Sequence, residues 1–286
     1  MSQSDIVEYY SEAGQDYSAW SPAFNMHFGY YRKWMNPFRL EPMLEQMNAE
    51  ILSRMTGGKP AREMEFLDAG CGLGATARHI ARQASAKVLG ITIVPWQIEE
   101  AGKLAARAGL SVRITFDLRD YRDTKLPPNQ FDGVYALESS CYAGAGDKAD
   151  FIRESFRLLK PGGRLVVADG FLSRLNSKPN AIYRKCLSLM EEFWALETFA
   201  HKEPFLAALE KAGYRDVQIE NANFRIAPSV AFIPWVTAKF FIKDVIAKRR
   251  TLTRRQLGNA LAPILGLIVG LHMHRFSYCI VTARRP

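Results

Sequence analysis

The feature that most constrains this chain is a run of nine residues, Phe66-Leu67-Asp68-Ala69-Gly70-Cys71-Gly72-Leu73-Gly74. A short apolar stretch enters a loop with glycines at alternate positions, and a helical stretch, Ala75–Ala84, follows. Gly70 and Gly72 lack side chains, so the backbone can turn tightly there and approach a ligand closely. The free N–H groups at the start of the next helix then offer a site for a carboxylate or another anion. The dinucleotide fingerprint G-x-G-x-x-G does not fit. Its third glycine would fall at Ala75, and the next strand ends in Gly90-Ile91-Thr92 without the acid that would hold a ribose.

Strand and helix signals alternate on either side of this loop. Glu65–Asp68, Lys87–Ile91, Val112–Phe116, Phe131–Ala136 and Arg164–Ala168 read as strands. Ala75–Ala84, Pro95–Ala108 and Phe151–Leu159 read as helices, the second with proline at its start and the third stopped by Pro161-Gly162-Gly163. The pattern predicts an α/β fold with a doubly wound, Rossmann-like parallel sheet, whose ligands bind at the carboxyl ends of the strands. Val217–Glu220 and Tyr278–Thr282 extend the sheet.

Three segments lie outside that alternation. Residues 1–60 read as helical and hold ten of the 33 aromatic residues within their first 40 positions. Residues 172–202 form a helical insertion rich in Met and aromatics, and residues 223–275 form a second one, basic and apolar. Insertions of this size are more often functional lids than idle loops. The expected organisation is thus a 1–60 cap, a 61–171 core, the 172–202 insertion, a 203–222 continuation of the core, the 223–275 lid and a final strand in 276–286.

Charge is segregated. Of 38 Lys and Arg against 29 Asp and Glu, ten bases and one acid (Asp244) fall between Lys239 and Pro286. The first 238 residues carry 28 of each sign, so the net +9 gives no reason to expect a nucleic-acid partner. The four cysteines, Cys71, Cys141, Cys186 and Cys279, make no CxxC pair. That removes the usual zinc spacings, leaves no metal expected, and points to a reducing, cytoplasmic setting. The N-terminus shows no signal-peptide pattern. Ala260–Leu271 is interrupted by Pro263, Gly266 and Gly270, which suits a buried or interfacial segment better than a membrane span.

Three motifs taken together, LDAGCGLGAT, FDGVYALES and LLKPGGRLVVAD, resemble the first, fourth-strand and fifth-strand motifs of class I S-adenosylmethionine-dependent methyltransferases, in the right order and spacing over roughly residues 60–170. The resemblance implies their seven-stranded sheet, S-adenosyl-L-methionine as cofactor, and S-adenosyl-L-homocysteine as product. Gly90-Ile91-Thr92-Ile93-Val94-Pro95-Trp96-Gln97 looks like the GxTxxxxQ variant of the tocopherol, sterol side-chain and cyclopropane fatty acid branch. Cofactor contacts carried over from the family are Tyr17, Asp68, Gly70, Cys71, Gly72, Thr92 and Gln97, with Asp117, Leu118 and Arg119 flanking the adenine. Tyr9-Tyr10, Tyr17, Trp20 and Asn25–Tyr30 resemble that branch's YYD…Y…HxGY region, which covers the cofactor and the substrate mouth, although Ser11 stands where the Asp would be. The segment from Gly258 to Pro286 is similar to the close of gamma-tocopherol methyltransferase-like proteins.

A sulfonium methyl is already electrophilic, so alignment and exclusion of water are the main tasks. A base is needed only if the acceptor loses a proton, and Glu138 and His27 are the candidate catalytic residues. The expected acceptor is a hydrophobic small molecule. C-methylation of an isoprenoid, prenyl or lipid-like compound is preferred over N- or O-methylation of an alkaloid or phenol, and a non-catalytic cofactor-binding regulator is the further alternative. The Lys239–Arg255 cluster has three readings: a solvated face, peripheral docking on an anionic membrane, or a clamp for a substrate diphosphate.

Overall fold

The computed structural model describes residues 2–173 and 179–286. Helix α1 (Gln3–Ala13) leads through a 3-10 turn (Gly14–Ala19) and an irregular stretch to α2 (Leu40–Thr56). The core follows as β1 (Glu65–Ala69), α3 (Ala75–Ala84), β2 (Lys87–Thr92), α4 (Pro95–Arg107), β3 (Ile114–Leu118), β4 (Phe131–Leu137), α5 (Ala149–Leu158) and β5 (Leu159–Leu172). Next come α6 (Ala181–Phe193), β6 (Ala200–His201), α7 (Lys202–Ala212) and β7 (Arg215–Asn221). The second insertion holds α8 (Asn223–Val230), α9 (Ile233–Phe240), a π-helical turn (Phe241–Ile246) and α10 (Arg254–Gly270), and the described chain closes with β8 (Phe276–Arg284).

The main sheet runs β3-β2-β1-β4-β5-β8-β7, seven strands as the resemblance implies, and the two-residue β6 adds an eighth beside the end of β5. The β1–β5 pairs are parallel, whereas β8 runs antiparallel to both β5 and β7. Strand order reverses between β1 and β4, so the carboxyl ends of those two strands form the crevice where such sheets bind ligands.

Side-chain alternation along the strands builds two apolar layers. Phe66, Tyr135 and Val166 pack on one face with Met47 and Ile51 of α2 and Ile80 of α3. Leu67, Val134 and Leu165 pack on the other with Phe151 of α5 and Phe205 and Leu209 of α7.

Several boundaries differ from the sequence expectation. The third strand starts two residues later, because Arg113 and Ile114 both bond back to the carbonyl of Leu110 in a turn that leaves Val112 exposed. The fifth and last strands are longer than expected, since β5 and β8 pair over nine residues, Arg164–Leu172 with Phe276–Arg284. Residues 1–60 are not helical throughout. From Trp20 to Arg39 the chain is irregular, and it is held by tertiary bonds such as Tyr30 N–H to Met43 O (2.8 Å) and Gly29 N–H to Ser229 Oγ (2.9 Å). In the 172–202 insertion the helix covers Ala181–Phe193, and residues 174–178 lie outside the described residues.

Pro263, Gly266 and Gly258 do not break α10, which runs unbroken from a Thr253 cap that accepts from the Gln256 N–H. Gly258 lets the helix lie against Phe193 of α6, since a Cβ there would come within 2.9 Å of that ring. Met190 and Cys186 of α6 share a buried cluster with Ala262 and Val269 of α10. The two insertions therefore form one helical layer over the carboxyl edge of the sheet.

Candidate active site

At the end of β1 the chain turns through Gly70, where φ is +90° and a Cβ would lie 2.5 Å from that of Ser139. Only glycine fits there. The N–H groups of Gly70 and Cys71 both donate to Ile91 O of β2 (2.9 and 3.0 Å), which locks the loop onto the sheet and leaves α3's first turn facing the crevice. Asp68, on β1, is 4% exposed, and burial pushes its carboxyl up to about 7. Thr92 Oγ1 donates to Gln97 Oε1 at 2.8 Å, and both residues are buried. Gln97 is thus not a solvated first-turn residue; its carbonyl is engaged and its amide N–H groups remain for a ligand.

These residues line one pocket. Asp68, Gly70, Cys71, Gly72, Thr92 and Gln97 meet there with Ile6 and Tyr10 of α1. Four other expected contacts lie elsewhere. Tyr17 lines the neighbouring cavity, while Asp117, Leu118 and Arg119 line neither space; Arg119 bonds to Asp117 (2.6 Å) and Leu118 faces solvent. Asp120, Tyr121 and Arg122, just beyond them, line the pocket instead. The shift has a physical cause: β3 ends at Leu118, and the chain crosses the crevice only after the Arg119 N–H has bonded to Thr92 O (3.0 Å).

The second space is a cavity of about 560 Å³ under the helical layer. Trp20, Phe28, Met190, Trp194, Phe199 and Tyr278 contribute its larger walls. Among the described residues that line it there are three carboxylates, Asp16, Glu138 and Asp169, and no lysine or arginine. The two spaces meet at Tyr10, Met26, His27, Glu138 and Tyr142, which line both.

Glu138 sits just past β4 with φ +51°, and its Oε1 accepts from the Phe28 N–H (2.7 Å) and the Tyr278 hydroxyl (2.8 Å). Both bonds favour the carboxylate, but burial outweighs them and raises its pKa to about 8. His27 is 5% exposed, and burial holds it down to about 4, so it is neutral at physiological pH. Its Nδ1 lies 2.9 Å from Phe28 O, which can only accept, so Nδ1 carries the proton. Nε2 is then a bare lone pair with no hydrogen-bond partner among the described residues.

Two further site residues were not singled out in the sequence. Asp169, at the end of the VVAD run, accepts from Ser140 Oγ (2.7 Å) and the Cys141 N–H (2.9 Å), and burial raises its pKa. Tyr278 arrives from the last strand, 140 positions after Glu138. The first could be found from its motif. The second could not, because no local pattern ties it to Glu138.

Residues 66–163 match the family described as "Methyltransferase domain". Over those residues the chain is thus similar to methyltransferase domains. It is 33% identical over 172 residues to methyltransferase phqN of Penicillium fellutanum, covering 60% of this chain and 51% of that protein. Over the same length it is 33% identical to sterol 24-C-methyltransferase erg6 of Aspergillus fumigatus, covering 60% and 44%. The chain thus spans about half the length of these relatives. The fold of the whole chain matches the cyclopropane synthase MmaA2 of Mycobacterium tuberculosis, at TM-score 0.83 and 14% identity over 99% of this chain and 98% of that one. The first pocket fits the family's cofactor: a glycine cradle that any Cβ would fill, a helix N-terminus for a carboxylate, and the buried Thr92–Gln97 pair for hydroxyls.

Proposed function

We propose that this protein is an S-adenosylmethionine-dependent methyltransferase whose acceptor is an uncharged, lipid-like small molecule, with carbon as the preferred site of methylation. The carrying observation is the junction at Tyr10, Met26, His27, Glu138 and Tyr142, where a cofactor pocket opens onto a large apolar cavity with no lysine or arginine among its described lining residues. In this reading the 1–60 segment caps the cofactor, the 61–171 core and its 203–222 continuation hold it, and residues 172–202 and 223–275 roof the acceptor. The likeness to a sterol 24-C-methyltransferase supports carbon.

The bound cofactor supplies an electrophilic methyl on a sulfonium. The walls keep water out and hold an alkene of an isoprenoid-type acceptor in line with the S–CH3 bond. Methyl transfer to the alkene, with the S–C electron pair left on sulfur, would place a carbocation on the neighbouring carbon of the acceptor. Trp20, Phe28 and Tyr278, packed edge to face in series, present ring faces and edges around that charge. Neutral His27 through Nε2, or Glu138 in the ionised form that dominates only above about pH 8, then takes a proton from an adjacent carbon and restores the double bond.

The three carboxylates favour a second reading, N-methylation of a hydrophobic amine, because a carboxylate can take the ammonium proton to free the nitrogen lone pair, and carboxylates stabilise the cationic product. Calorimetry with S-adenosylhomocysteine comes first, with micromolar binding expected; folded protein that binds none would overturn both readings and leave no cofactor-binding regulator either. Transfer of labelled methyl to neutral isoprenoids, sterols and hydrophobic amines follows. Label on carbon is the expected result, and label on heteroatoms alone defeats the preference for carbon.

A further inference from the structure

Helix α9 and the π-helical turn that continues it are apolar on opposite faces, and only one of those faces has a partner. Ile233, Val236, Thr237 and Phe240 turn inward and line the acceptor cavity. Trp235, Ile242 and Ile246 recur at the spacing of a single helix side and are exposed by 69%, 61% and 70%. Surface helices normally present charge where these residues stand. The stretch Asn223–Lys243 is long and apolar enough to cross a bilayer, yet only 22% of its most apolar window is buried.

The same face carries Lys239 and Lys243, both exposed and in no ion pair with another described residue. Phe224, Leu271 and Met273 line the cavity while remaining exposed, so the cavity reaches the outside through an apolar rim.

We propose that this face docks on an anionic lipid bilayer, with Trp235, Ile242 and Ile246 entering the headgroup–acyl boundary and Lys239 and Lys243 at the phosphate level, so that the acceptor cavity opens toward the lipid. The element lies in the interface and does not span it. The turn at 231–232 separates α8 from α9, and the inner face of α9 is committed to the cavity. An apolar face with an indole and flanking lysines is the chemistry of interfacial binding. Charge complementarity selects an anionic surface over a neutral one. The proposal deepens the lipid-like acceptor reading but does not depend on methyl transfer.

The test is flotation of the full chain with phosphatidylcholine vesicles, with and without phosphatidylglycerol, alongside sedimentation of the lipid-free protein. Wild-type protein floats with the anionic vesicles and much less with the neutral ones. Trp235→Ser, Ile242→Ser and Ile246→Ser combined leaves it at the bottom, while affinity for S-adenosylhomocysteine is unchanged, which shows that the variant is folded. Lys239→Gln with Lys243→Gln lowers partitioning onto anionic vesicles about 30-fold. Equal floating of the triple variant overturns the proposal, and so does wild-type protein that ignores both vesicle types. A wild-type dimer that the triple variant converts to monomer, with no vesicle binding by either, assigns the face to a second copy of the chain instead. Loss of S-adenosylhomocysteine binding by wild-type protein would bear on the methyltransferase reading alone.

Discussion

Glu138 is held in the left-handed region of the backbone at the tip of β4 (φ +51°), a conformation that costs of order 1 kcal/mol for a residue with a side chain. Its N–H donates to Ala168 O of β5 at 2.8 Å, and its side chain reaches the irregular N-terminal stretch and the last strand together. Because burial raises its pKa to about 8, the folded protein holds this proton between pH 4.5 and 8, where the unfolded chain has released it. The neutral form is the one burial favours, so this residue's contribution to stability falls as pH rises through that window. Glu138→Gln keeps an acceptor for Phe28 and Tyr278 but cannot take a proton. It should lower kcat by about 10²–10⁴, leave S-adenosylhomocysteine affinity within about twofold, and flatten the decline in melting temperature between pH 5 and 8. Full turnover by the variant would remove Glu138 as the base and leave His27. Both residues were visible in the sequence because each sits within a short motif at a strand end or in the aromatic cap. The Tyr278 hydroxyl that shares the Glu138 carboxylate was not, since strand pairing over a long separation leaves no local mark.

The basic cluster that stood as a unit in the sequence divides when its elements are placed. Arg255 pairs with Glu8 and Glu12 of α1, Arg250 pairs with Asp16 in the 3-10 turn, and Arg254 pairs with Glu192 of α6. Thr253 Oγ1 donates to Glu12, and Tyr9 OH to Asn259 Oδ1 at 2.5 Å. Arg254 and Arg255 thus tie α10 to α6 and to the cap, Arg250 ties the segment before it to the cap, and Lys239 and Lys243 remain for an outside surface. Composition showed the excess charge but not the acids that would meet it, which lie more than 200 positions upstream in two of the three cases. The central strands β1, β4 and β5, by contrast, announced themselves through contiguous apolar runs, because they are buried on both faces. Partly exposed ion pairs such as those of Arg250 and Arg255 contribute about 0–1 kcal/mol each. Arg250→Ala combined with Arg255→Ala should therefore shift the melting temperature by only a few degrees, while hydrogen exchange in α1 speeds up about tenfold at low salt. In 1 M salt the difference from wild type should shrink. Unchanged exchange in α1 would mean that the apolar contacts of Tyr9 and Tyr10 hold the cap without the arginines.

Across the whole molecule, charge and cavity are arranged against each other. The net charge is +9, so an anion is drawn toward the protein from a distance. The cavity reverses that preference, since Asp16, Glu138 and Asp169 line it and no described lysine or arginine does. Arg250, which could have offered a guanidinium near the wall, is bonded to Asp16 through both of its terminal nitrogens (2.7 and 3.1 Å). A diphosphate entering this space would be desolvated with no described lysine or arginine on the lining to meet its charge, which costs several kcal/mol. This makes the diphosphate clamp the weakest of the three readings that the basic cluster left open. A competition between a prenyl alcohol and its diphosphate, with labelled cofactor and with or without Mg2+, tests the point. The alcohol, or another neutral acceptor of that length, should be methylated with a kcat/KM at least about 100-fold above that of the diphosphate. Comparable rates for the two, or a diphosphate preference that appears with Mg2+, would show that the carboxylates recruit a cation and that the cavity's charge does not exclude anions.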